Sequence, residues 1–117
     1  MILDSGTMKI CKLQNSASNG DMPDMRLVPF QKHWFQERTI GMNRLYLAMG
    51  QNERIDMIAY VHEDRKIHPN MYAVLGNGEQ MIIHHVEHVI EENTNLRYTR
   101  LTCERLEDFY DIAEQTG

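Results

Sequence analysis

GEQMIIHHVEHVIEEN, residues 78–93, is the stretch whose period decides the fold. As a helix, its His84, Glu87 and His88 would spell H-x-x-E-H, the ligand order of one class of zinc hydrolases. That chemistry needs residues i and i+4 on one helical face, so that two imidazoles share an ion and the glutamate polarises its water. As a strand, the same residues alternate: His84, Val86 and His88 point one way, His85 and Glu87 the other. Glu87 then faces away from any ion held by His84 and His88. The flanks favour the strand. Gly76-Asn77-Gly78 is a short hairpin turn, EENTN at 91–95 is a second turn, and the run between them is β-branched. We therefore read a strand with the imidazoles of His84, His85 and His88 on a solvent or partner face. No metal, cofactor or catalytic residues are expected, and a metal-dependent hydrolase is disfavoured.

Working outward, period two recurs on both sides. LRYTRLTCERL at 96–106 alternates, with Thr99, Leu101 and Cys103 on one face. Ile55, Met57, Ala59 and Val61 oppose Asp56, Ile58, Tyr60 and His62. His33, Phe35 and Glu37 oppose Lys32, Trp34 and Gln36 in a strand over 33–38. Pro29 withholds a backbone N–H, so the chain before it is an edge or irregular strand. Met8 and Ile10 open a further strand over 7–15. The period changes once. Leu45, Ala48 and Met49 share a helical face between Asn43 and Gly50, which predicts one short helix at about 43–50. Such a helix is too short to persist alone in water and must pack on something. The fold expected is mainly β: a small antiparallel β-barrel or sandwich of about six strands with that one inserted helix.

The chain's 117 residues suit a single domain, 1–117. Polar segments 16–25 and 62–70 read as flexible loops, and 108–117 as a C-terminal tail with one or two amphipathic helical turns. A net charge of −5 argues against a protein that wraps DNA, whose affinity comes from lysines and arginines neutralising phosphates. Trp34 and Phe35 lack the basic interleaving of a nucleic-acid stacking platform. The two cysteines, Cys11 and Cys103, lie far apart without metal spacing, and Cys103 reads as a core residue. No apolar run approaches the roughly 20 residues of a membrane span, and no signal peptide is evident. Nothing resembles an active site, so no enzyme is expected.

An ordered set of short words remains. Thr39-Ile40-Gly41 leads into Arg44, Tyr46 and Ala48. Ile55, Asp56 and Ile58 follow, then the glycine hairpin into Met81-Ile82-Ile83, then Leu101-Thr-Cys-Glu-Arg-Leu106. In this order, over about residues 26–108, the chain resembles the head-tail connector (head-completion or stopper) proteins of long-tailed bacteriophages and prophages. It departs from them at Arg44, where an acidic residue is usual, and at Met81, where an aromatic is usual. The resemblance implies a β-barrel or sandwich and a mechanical role in the virion neck. The subunits would form a ring, usually of twelve copies, below the portal or its adaptor. That ring would retain the packaged DNA without binding it specifically and would present the docking surface for a tail terminator or tail-end protein. The subunit would be made in the host bacterial cytoplasm, with no membrane partner. The weakly apolar tail words Phe109, Tyr110 and Ile112 are expected partner contacts. The alternatives are another neck or tail-end ring, such as a tail terminator, and a non-viral small β-barrel binding module.

Overall fold

The alternating segments do form strands. The computed structural model describes residues 1–18, 20–38 and 54–113. Its strands are β1 (Gly6–Asn15), β2 (Met25–Arg38), β3 (Met57–His62), β4 (Tyr72–Leu75), β5 (Gln80–Ile90), β6 (Arg97–Arg105) and the short β7 (Asp111–Ile112). Neighbours run β1-β4-β5-β6-β3-β2, and β2 also pairs with β1. Six antiparallel strands thus close into a ring, a barrel-like sheet with few unpaired backbone groups. The expected mainly β fold is the one observed. The helix expected at 43–50 lies outside the described residues.

One face of each strand fills the inside of the ring. Met8, Ile10, Phe35, Met57, Ala59, Val61, Ala73, Met81, Ile83, Leu101 and Cys103 form one buried cluster there. Each large aliphatic side chain buried in this way contributes about 1.5–3 kcal/mol. Ile67 is buried in the same cluster, although it comes from the polar loop after β3. A second cluster lies on the opposite face of the sheet, where Cys11, Leu27, Tyr72 and Val74 pack with Leu13, Ile82, Leu106 and Tyr110. This explains why β1 and β4 are apolar on both faces.

Two irregularities shape the ring. The β1–β2 register shifts between Ile10 and Cys11, opposite Gln31 and Pro29, so the bulge falls where Pro29 cannot donate a ladder bond. The β5–β6 register shifts between Ile83 and His85. Of the two ends, one carries the tight turn after β4. There Leu75 N–H donates to Glu79 O, and Gly78 takes φ +93°, a backbone region that favours glycine. The other end carries the 91–95 turn, the 16–24 loop and the loop after β3.

The C-terminal segment is extended where amphipathic helical turns were expected. Its β7 pairs in parallel with β2, Arg26 opposite Asp111 and Leu27 opposite Ile112. Gln80 holds it from the other side, donating from Nε2 to Tyr110 O at 2.8 Å while Oε1 accepts from Tyr110 N–H at 2.9 Å. Those two bonds satisfy a buried amide and take up the backbone groups a helix would have used.

Candidate functional site

The histidine strand is built around its bulge. Beyond it, His85 pairs with Thr102, Val86 with Leu101, Glu87 with Arg100 and His88 with Thr99. Val86 and His88 therefore share the inner face. His84, the extra residue, turns to the outer face, where its Nε2 lies 2.8 Å from Glu104 Oε1. His84 and His85 are neighbours there, ring centroids 6.5 Å apart. The even alternation expected for His84, Val86 and His88 fails for a physical reason: one inserted residue reverses the facing of whatever precedes it. The ligand pair of the hydrolase motif is thus split between two faces. Among the described residues no three metal-ligating side chains converge.

On the outer face Arg100 bridges strands. It donates to Glu87 and to the Tyr60 hydroxyl, and Arg38 stacks over the Tyr60 ring. Burial works against the Arg100 charge, but the Tyr60 and Glu87 bonds outweigh it and raise its pKa. On the inner face a polar chain links β2, the loop after β3, β6 and β5, from half-buried His33 and Asp64 through buried Thr99 to exposed His88. His33 Nε2 lies 2.8 Å from Asp64 Oδ2. Asp64 N–H donates to Thr99 Oγ1 at 3.0 Å, and that oxygen is 2.9 Å from His88 Nδ1. Asp64 Oδ1 also accepts from Lys66 N–H. Burial alone would raise the Asp64 pKa. The bonds from His33 and Lys66, with the positive charge of both, reverse the sign and hold it below the ordinary carboxylate value. This network pins the loop after β3 and so places Ile67 in the core.

The cysteines are structural. Both are fully buried, and burial pushes the thiol pKa to about 11 for Cys11 and about 12 for Cys103, so neither is a thiolate near neutral pH. The expected contact residues are placed unequally. Tyr110 lies half-buried edge-on to Tyr72, whereas Phe109 and Ile112 are exposed.

Two apolar patches were not singled out by the sequence. Trp34 is 63% exposed on the outer face of β2. Beside it, Lys32 and Lys9 are register partners, both exposed. A groove of about 290 Å³ runs past Thr7, Lys9, Lys32, Val74 and Ile112. The second patch is the tip of the β5–β6 hairpin, where Ile90 and Leu96 are more than half exposed. The tip is held by Glu91 N–H donating to Leu96 O, Asn95 N–H donating to Glu91 O and Thr94 Oγ1 donating to Glu91. The sequence signal was present but weak: a tryptophan at an outward position of an alternating strand, and aliphatics flanking a polar turn. No protein-family model matches this chain, and no curated protein matches it.

Proposed function

We propose that this chain is a structural subunit of the neck of a long-tailed bacteriophage. It assembles with copies of itself into a ring below the portal or adaptor, closes the DNA-filled head and offers the surface on which the tail docks. The observation that carries this reading is the order of the connector-like words. Ile58, Met81-Ile82-Ile83 and Leu101–Arg105 fall in β3, β5 and β6 of one closed sheet, with the glycine turn between β4 and β5, while the words at 39–48 lie outside the described residues. Closure leaves a rigid wedge with few free strand edges, suited to a subunit that bears load between head and tail. The net charge of −5 lets DNA pass without adhering. Phe109 and Ile112, exposed on a tail that Gln80 anchors, are the proposed contacts to a neighbouring ring.

The test is deletion of the gene from the phage or prophage that encodes it, followed by electron microscopy of the lysate. Separate full or leaking heads and finished free tails are expected. Intact infectious virions would overturn the reading.

A further inference from the structure

We infer that the C-terminal segment 107–113 is a releasable strap, which opens as a unit and bares an apolar strip on the outer face while the ring of six strands stays closed. The inference goes beyond the neck reading and does not rest on it. The strap has a hinge. Leu106 still continues the β5–β6 ladder, its N–H donating to Gln80 O at 2.9 Å. Glu107, Asp108 and Phe109 follow, all exposed and without a hydrogen bond to any described residue. The chain therefore turns between barrel and strap at three residues that lose no bond when they move. The hold beyond the hinge is narrow. Gln80 makes both backbone bonds to Tyr110, and the Tyr110 ring meets Tyr72 edge-on, centroids 5.8 Å apart. After that come only the two-residue β7 and Ala113 N–H, donating to Leu27 O at 2.8 Å. No strap side chain is buried: Tyr110 and Ala113 are half-buried, and Asp111 and Ile112 are exposed. A segment with so few buried contacts opens at a lower free energy than the core it lies on. The barrel side of the contact is different. Cys11, Leu27, Tyr72 and Val74 pack with Tyr110 and are almost inaccessible beneath it, and Leu13 and Ile82 extend the strip. Gln80 is itself only 3% exposed and commits both ends of its amide to one strap residue. Those two bonds break together, so release is all-or-none rather than gradual, and the buried amide left behind favours reclosure. The strap thus governs when the apolar strip meets solvent.

The test is native-state hydrogen exchange on the full chain, read by NMR at several low urea concentrations. The Tyr110 and Ala113 amides should share one opening free energy that hardly changes with urea, because a small opening exposes little surface. They should exchange at least about tenfold faster than the Ile83 amide, which donates to Met71 O inside the barrel and whose exchange should rise steeply with urea. Different opening free energies for Tyr110 and Ala113 would mean fraying residue by residue. The rate and urea slope of Ile83 at all three would mean that the strap parts only on global unfolding. Either result overturns the inference. The two native thiols give an independent readout, since Cys11 lies in the outer cluster and Cys103 in the inner one. Iodoacetamide over hours, mapped by peptide mass, should reach Cys11 ahead of Cys103, whereas equal rates would overturn the inference. Gln80→Ala should speed Cys11 modification about 5- to 30-fold, and an unchanged rate would count against the strap.

Discussion

Replacing Asp64 with alanine removes the acceptor that holds His33 and the loop after β3. Asp64 and His33 side chains are each about one-tenth exposed, so water does not replace the lost bond freely. A hydrogen bond to a charged group contributes about 1.5–3 kcal/mol, and the more exposed bond from Lys66 N–H adds about 0.5–1. The expected cost is therefore about 2–4 kcal/mol, a large part of the 5–15 kcal/mol typical of a domain. At about 4 °C per kcal/mol for a domain of this size, Tm falls by about 8–16 °C. Urea unfolding followed by far-UV circular dichroism measures it; Trp34 emission is a poor reporter because the ring is already largely exposed. A cycle with His33→Ala should return a coupling of about 1–2 kcal/mol. The pH dependence has a fixed sign. Because the folded pKa of Asp64 is lowered, its stabilisation is complete above the unfolded value near about 4 and is lost as pH falls through the folded value. The difference between parent and Asp64→Ala should thus be full at pH 6 and shrink below pH 4. A cost under about 0.5 kcal/mol, or one as large in strong acid as at pH 6, would refute the argument.

Gln80→Ala frees both backbone bonds of Tyr110, so limited proteolysis should clip the chain after Leu106 much faster than in the parent, at a stability cost of about 1–2 kcal/mol. Ile83→Ala, at a fully buried inner position, should cost about 2–5 kcal/mol in urea unfolding. Ellman's reagent at pH 8 should find no reactive thiol in the native protein and two in urea; a rapidly reacting native thiol would contradict the burial of Cys11 and Cys103. Added zinc or EDTA should leave the melting temperature unchanged, since the bulge sets His84 and His88 on different faces.

The strands were legible because every second residue faces inward and is buried, Met57, Ala59 and Val61 or Thr99, Leu101 and Cys103, although Ile58, Tyr98 and Thr102 on the other face are buried too. The turn at 76–79 was legible because glycine at a left-handed position leaves a visible mark. The bulge at His84 was not, because one inserted residue between apolar neighbours has no signature of its own. The second cluster was hidden for a related reason. Cys11, Leu13, Tyr72 and Val74 face outward onto Leu106 and Tyr110, and apolar residues on both faces of a strand blur the alternation. Ile67 and Asp64 sit in a charged run that reads as solvent-facing, yet long-range partners in β2 and β6 draw both inward. The tail looked amphipathic, but pairing with β2 and Gln80 outcompeted its weak helical preference.

The neck assignment is tested most directly by counting this chain in purified virions. Quantitative mass spectrometry against the portal protein should find about one closed ring of copies per particle, near twelve if the neck follows twelvefold symmetry. Infectious particles that contain none would contradict it.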